Sequence, residues 1–376
     1  MKIALVHSFY SGLLPSGENQ VVEAQAQALR EAGHEVLLLG RHTDDLSQMS
    51  GYGPRAAARV ATGLGGDPTR HLADFGPDVV HVHNLFPNIG TAWLARWRGP
   101  VVATLHNFRP LCANATLFRD GATCTLCPDG DRWAGVRHAC YRDSRVKTLP
   151  LAVRNRNGVA RDALISRADR LVLLADSQAA VYSNFGVASA AIDVIPNFVT
   201  DVTAAVLPAP GSPRWIVVGR LAPETGSRQL VERWPVSESL DVVGEGPEEE
   251  FISGPSVTLV GAIPRAELRA LLPTYSGLVF PSLWVEGVAQ VVIEAFEAGV
   301  PVVVREGGAT AELVESLRAG AVWDGVGPID DALRAVVAGG DALRGDARAA
   351  YLGAFQPTRW VGSIEECYRS ARRAAG

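Results

Sequence analysis

Two acidic residues in the second half of the chain have the spacing and setting of a hydroxyl-binding pair. Glu286 stands in Pro281-Ser282-Leu283-Trp284-Val285-Glu286-Gly287-Val288, and Glu294 follows in Gln290-Val291-Val292-Ile293-Glu294-Ala295. The segment leaves an apolar strand ending at Phe280 and opens a helix. Helix N-termini carry unpaired backbone N–H groups and a partial positive charge, so a diphosphate or sugar hydroxyls fit there. Two carboxylates so placed can accept hydrogen bonds from two pairs of vicinal hydroxyls, one on a sugar and one on a ribose. The plainer alternative is that Glu286 caps the helix and Glu294 faces solvent.

A second group of chemically capable residues is the set Cys112-x11-Cys124-x2-Cys127-x12-Cys140. A Cys-x2-Cys knuckle with two flanking cysteines matches a closed tetrahedral zinc site. Structural zinc is the expectation, against reduced core thiols, disulfides or an iron–sulfur cluster. Cys367, on the last helix, reads as a lone buried thiol. Asn84, Phe86, Asn88, Arg109 and Asn114 stand where loops should leave the strands, as candidate acceptor contacts or ordinary turn residues.

These residues need a scaffold, and the apolar pattern supplies one. Ile3 to His7 reads as a buried parallel strand, followed by a loop with Gly12, Pro15 and Gly17, then a helix over Glu18 to Ala32. Further strands are expected at Glu35–Leu39, Asp78–Val82, Val101–His106 and Arg170–Leu174. A break falls at about Asp201–Pro213, where Pro208, Pro210, Gly211, Ser212 and Pro213 are linker chemistry, and after it the alternation restarts. Strands are expected at Trp215–Val218, Leu240–Val243, Val257–Val260, Gly277–Phe280 and Val302–Val304. Helices are expected at Pro264–Leu271, Val291–Ala298, Ile329–Val337 and Pro357–Ala374. Continuous apolar strands alternating with helices argue for α/β architecture with doubly wound parallel sheets. Two such domains place a ligand cleft between them at the carboxyl ends of the strands. Asn107 to Ser144 breaks the pattern and reads as an organised insertion.

Composition bounds the function. The chain has 376 residues, 47 % of them apolar and 20 % charged, with a net charge of -5. That length suggests two domains. Lysine occurs only at Lys2 and Lys147, and no basic run interleaves with aromatics, so no nucleic-acid partner is expected. The apolar stretches fall short of the roughly 18 residues of a spanning helix, and the first residues enter a strand without signal-peptide architecture. A cytoplasmic protein with reduced thiols is therefore expected. No Gly-x-Gly-x-x-Gly follows a strand with an acidic residue after it, which disfavours a Rossmann dehydrogenase.

The spacing Glu286-x7-Glu294 after Pro281-Ser282 resembles the signature of the family 4 retaining glycosyltransferases of GT-B fold. The likeness extends over Gly17, Gly33-His34-Glu35-Val36, Val80-His81-Val82-His83, Ile195-Pro196-Asn197, Gly219-Arg220-Leu221, Gly244-Glu245-Gly246-Pro247 and Ala298-Gly299-Val300-Pro301. It implies two Rossmann-like domains: an acceptor domain over 1–205 with a Cys-rich insertion at about 107–144, and a nucleotide-sugar domain over 206–356. A last helix, 357–376, is expected to cross back to the first domain.

The resemblance also implies roles. Glu294 would hold the ribose hydroxyls and Glu286 the transferred sugar. Arg220 would pair with the diphosphate, for which a guanidinium fork is suited. Gly17, and Gly287 with Val288, would let backbone approach the donor. His106 would lie near the donor sugar. The donor would be a nucleoside-diphosphate sugar and the acceptor a hydroxyl of a small metabolite or natural-product precursor, or alternatively of a saccharide chain in cell-surface polysaccharide assembly, with no strict need for a catalytic divalent metal. An epimerase would not carry the Glu286-x7-Glu294 pattern. One departure stands out: the family's lysine five residues after the arginine is Thr225 here. Arg228 is the candidate to replace its charge, and a weakly active or binding-only protein is the competing account. The insertion resembles that of a cysteine-containing subset of the family, a flap on the acceptor side.

Overall fold

The computed structural model describes residues 1–12 and 17–375, and the Pro15 of the expected glycine loop lies outside them. The chain divides into two compact units. The first comprises Met1–Leu117, Cys124–Asn197 and the segment from Pro357 onward; the second comprises Phe118–Thr123 and Phe198–Gln356.

The first unit holds six parallel strands: β1 (Lys2–Phe9), β2 (Glu35–His42), β3 (Val79–Asn84), β4 (Val101–Thr104), β7 (Arg170–Leu173) and β8 (Ile192–Val194). Their order across the sheet is β2-β1-β3-β4-β7-β8. Ile3, Ala4, Leu5 and Val6 are fully buried, as a strand covered on both faces must be. The helix Gly17–Glu31 follows β1, with Val21, Val22, Ala26, Ala28 and Leu29 on its buried stripe. The last helix, Pro357–Ala375, packs on this unit. His34 Nε2 bonds Glu365 Oε1 at 2.8 Å, and Tyr368 is buried against β3.

The second unit repeats the plan with β9 (Arg214–Val218), β10 (Ser239–Val243), β11 (Val257–Gly261), β12 (Gly277–Phe280), β13 (Val302–Arg305) and β14 (Gly320–Trp323), in the order β11-β10-β9-β12-β13-β14. Successive residues of β9 face opposite sides. Ile216 joins a core with Val292, Ile293 and Phe296, while Trp215 and Val217 join one with Leu240, Val279 and Trp323. Both faces are thus apolar, which fits the unbroken Val-rich runs. The last helix of this unit, Asp330–Ala354, runs well past its expected end at Val337, with a kink at Gly340.

The stretch read as a Pro-rich linker is stapled down. Arg344, 1 % exposed, donates to the carbonyl oxygens of Leu207, Tyr275 and Pro273 at 2.8–2.9 Å. Buried Glu297 accepts the backbone N–H groups of Val202 and Thr203, both at 2.8 Å. The Cys-rich insertion contains a small hairpin, β5 (Phe118–Arg119) and β6 (Ala122–Thr123), and the helices Ala134–Arg137 and Arg145–Asn155. Ala115, Leu117, Asp120, Ala139, Arg142 and Asp143 all take positive φ, so it is a chain of tight turns, which explains its lack of periodicity.

Among the described residues no helix is long and apolar enough to cross a membrane.

Candidate active site

The second unit carries the carboxylates and the arginine named from the sequence on two adjoining loops and the helix that follows one of them. Two loops lie side by side. One leaves β9 and carries Gly219, Arg220, Glu224 and Thr225; the other leaves β12 and carries Ser282, Glu286, Gly287 and Val288 before the helix Gln290–Glu297. The backbone N–H of Leu283 donates to the Glu224 carbonyl at 3.0 Å. Gly226, at φ +74°, is required at their contact, because a Cβ there would lie 2.2 Å from the Pro281 carbonyl oxygen.

Arg220 is largely exposed and ion-paired with Glu224, which is buried. Thr225, at the position of the family's lysine, turns its hydroxyl inward. Its Oγ donates toward the carbonyls of Arg220 and Ala222, both at 2.8 Å, and accepts the Ala222 N–H at 3.3 Å. It closes the loop instead of supplying charge. Arg228, in the short helix Ser227–Val231, pairs with Glu232 at 3.0 Å and lies over the Phe251 ring, 4.0 Å from its centroid. It is half-exposed and its partner is a surface carboxylate.

Glu286 is half-buried and accepts a hydrogen bond from Ser282 Oγ at 2.5 Å. Burial pushes its carboxyl up to about 7; the Ser282 bond opposes this and the nearby Glu224 charge adds to it. Glu294 lies inside the helix and is 4 % exposed, bound to the Arg265 guanidinium. Burial raises its carboxyl above the usual range, with Arg265 pulling the other way. Neither acid is a helix cap: the helix opens at Ala289 with no side-chain cap. The solvated-face alternative fails for Glu294 as well. Gly287 and Val288 lie in the approach to the helix, Val288 buried.

In the first unit, His106 lies two residues beyond β4 in a cluster of imidazoles. His83 Nδ1 and His106 Nε2 are 3.0 Å apart, and His81 and His7 flank His83 with ring centroids at 4.2 and 6.3 Å. Burial lowers His106 to about 3, His81 to about 3 and His7 to about 4, so these rings are neutral. Gly17 is the first residue of its helix, and residues 13–16 before it lie outside the described residues.

Beside the imidazoles, the ends of β1 and β3 and the start of the first helix bring Tyr10, Glu18 and Asn84 up to Arg109. The Arg109 guanidinium lies over the Phe86 ring at 4.1 Å. Burial pushes Glu18 up to about 7, against Arg109, and Tyr10 up to about 12, with the Glu18 charge adding. Asn88 and Asn114 are spent locally, on Thr43 and Tyr52 and on Thr116 respectively.

The zinc centre expected at Cys112, Cys124, Cys127 and Cys140 has no support. None of the four is joined in a disulfide, and no group of three or more His, Cys, Asp or Glu among the described residues is placed to hold a metal ion. Burial raises the Cys127 thiol, with Cys112 and Cys124 adding to the effect.

Sequence reasoning missed Glu224, Arg265, Tyr10, Glu18, His7 and His83. Their places within strands, after strands and at helix starts were visible, but nothing in one sequence pairs them.

Comparison with known proteins places this arrangement. The model of Glycosyltransferase Family 4 matches residues 15–201, and that of Glycosyl transferases group 1 matches residues 212–338. No curated protein sequence is a significant match. Among solved structures, sucrose-phosphate synthase from Thermosynechococcus elongatus superposes with a TM-score of 0.67 at 18 % identity, covering 99 % of each chain. Anabaena HepE, described in complex with UDP, gives 0.62 at 15 % identity, over 98 % of this chain and 100 % of its own. AviGT4, a glycosyltransferase involved in avilamycin A biosynthesis, gives 0.58 at 18 %, over 99 % and 98 %. With two parallel-sheet units of the GT-B type and both family models matched in order, the chain belongs to the family 4 glycosyltransferases.

Proposed function

We propose that this chain is a retaining glycosyltransferase that moves a sugar from a nucleoside-diphosphate sugar to a hydroxyl of a small metabolite or natural-product precursor. The observation that carries the proposal is the grouping of Glu286, Arg220 and Glu294 around the loops after β9 and β12 and the helix that follows. Buried carboxylates with few protein donors are suited to hydroxyls. Glu294, already next to Arg265, takes the ribose; Glu286, steadied by Ser282, takes the transferred sugar. Arg220, exposed and joined to Glu224, turns to the diphosphate, and Gly17, Gly287 and Val288 offer backbone to the donor. The imidazole of His106, being neutral, offers an uncharged hydrogen bond.

The leaving nucleoside diphosphate gathers negative charge as its bond to the anomeric carbon breaks. Fixed donors that meet this charge lower the barrier most. Arg220 is the first such donor. Arg228 is the second: its bond to Glu232 is a surface pair worth about 0–1 kcal/mol, so releasing it costs little. Tyr10, Glu18 and Arg109 form the polar patch proposed for the acceptor.

Thermal-shift measurement against a panel of UDP-, GDP-, ADP- and dTDP-sugars tests this. UDP-sugars come first, because the similar HepE is described with UDP. Ligand at a hundred times its Kd should add about 2.7 kcal/mol of stability. A protein that no sugar nucleotide stabilises would overturn the proposal. Thr225 favours a second reading, a sugar-nucleotide binder without turnover. Nucleoside diphosphate released only on adding an acceptor separates the two.

A further inference from the structure

His83 is 4 % exposed and stands between two other imidazoles. Its Nδ1 lies 3.0 Å from His106 Nε2, the ring centroids are 5.3 Å apart and the planes differ by 28°. These values describe two rings set edge to edge and nearly coplanar, the geometry of an in-plane N–H···N hydrogen bond. Burial holds both imidazoles far below the usual histidine range, so each ring carries one proton. One nitrogen of the pair therefore donates and the other accepts.

The surroundings of His83 decide which. Its other nitrogen, Nε2, is buried with no hydrogen-bond partner among the described residues. A buried N–H without a partner is rare and costly, whereas a bare acceptor nitrogen is better tolerated. His81 cannot help, because its Nδ1 is 2.8 Å from the Tyr368 hydroxyl and its Nε2 is 2.7 Å from Thr104 Oγ1. His7 engages Asn19 Oδ1 through its Nε2 at 3.1 Å, and its Nδ1 makes no hydrogen bond to His83 Nε2. The lower-energy arrangement puts the His83 proton on Nδ1, pointing at His106, and leaves Nε2 bare.

We infer that His83 is a positioning residue that fixes His106 as the Nδ1–H tautomer, so that His106 presents a neutral hydrogen-bond donor to the donor substrate. This rests on the reading of His106 as a site residue in a glycosyltransferase. With Nε2 occupied as an acceptor from His83, the only N–H of His106 is at Nδ1, on the side away from its neighbour. A neutral donor suits a sugar hydroxyl or a leaving oxygen. A protonated imidazole would face the desolvation cost of a charge among three other rings.

The test is a long-range proton–nitrogen correlation spectrum of full-length protein labelled with nitrogen-15 in histidine, at neutral pH. His106 is assigned by its disappearance in His106→Ala. The expected result is a single His106 tautomer, protonated at Nδ1 and bare at Nε2. His83→Phe should lose that single pattern and give mixed tautomers. His83→Asn, whose amide N–H stands near the place of Nδ1–H, should restore it. A wild-type His106 protonated at Nε2 overturns the inference without any variant. So does an unchanged His106 pattern in a folded His83→Phe protein, its fold checked by thermal melting. Failure of sugar nucleotides to bind would instead sink the functional reading and leave the tautomer result standing.

Discussion

The backbone N–H of Leu283 donates to the carbonyl of Glu224 at 3.0 Å, and this bond ties the loop of Arg220 to the loop of Glu286. The two segments are far apart in sequence. Their junction, closed by Gly226, is what holds a cation and a carboxylate on one surface. Substituting Gly226→Ala should damage both at once. The new Cβ meets the Pro281 carbonyl and the backbone is forced from φ +74°. A destabilisation of about 1–3 kcal/mol is expected. Denaturant unfolding measures it, and calorimetry should show weaker UDP binding.

Glu286 governs the pH dependence. Its carboxyl is raised to about 7 by burial. The ionised form accepts hydrogen bonds from sugar hydroxyls, so kcat/KM for the sugar nucleotide should rise roughly tenfold per pH unit up to about 7 and level off above it. Glu286→Gln should remove that limb and leave a lower, flatter profile. Stability runs the other way. A carboxyl that holds its proton more tightly when folded weakens the fold as pH rises from 4.5 through about 7. Glu286→Gln should therefore melt higher than the wild type at neutral pH. Because Glu18 also stands near 7, Glu18→Gln is the control, and it should retain the limb.

Glu294 and Arg265 should separate binding from folding. Glu294→Gln keeps the shape and removes the charge. It should weaken UDP binding by about 1.5–3 kcal/mol, the worth of hydrogen bonds to a charged group, with little change in melting. Arg265→Ala leaves a carboxylate that is only 4 % exposed without its cation. Its cost falls between that of surface and buried pairs, about 1–3 kcal/mol of stability.

The rebuilt diphosphate side is tested by Arg228→Ala. The surface pair with Glu232 contributes little to folding, so stability should move by less than about 1 kcal/mol. If Arg228 serves the diphosphate, UDP affinity should fall about tenfold or more and its salt dependence should weaken. Unchanged affinity and turnover would remove Arg228 from the site.

Arg344 predicts a purely structural loss. Arg344→Met leaves the carbonyls of Leu207, Tyr275 and Pro273 without their donor. About 3 kcal/mol of the second unit's stability should go, read by denaturant unfolding, while UDP affinity per folded molecule stays the same.

Sequence alone determined the repeated strand–helix plan, because strands buried on both faces must be apolar throughout and helices must keep their stripe. It also pointed to Glu286 and Glu294, since strand ends and helix starts are where backbone N–H groups are free, and the family resemblance added Arg220. It could not determine which side chains meet. Thr225 looked like a missing charge; tertiary structure made it a loop staple. The stretch Asp201–Pro213 read as linker, yet its backbone carbonyl and N–H groups are bound by Arg344 and Glu297, residues remote in sequence. The four cysteines had zinc spacing, but among the described residues they form no group placed to hold a metal ion. His83 and His106 became a pair only because β3 and β4 are neighbours in the sheet. Local pattern follows from short-range sterics and burial; pairing across strands and loops depends on the packing of distant segments, which a single sequence does not encode in any local signal.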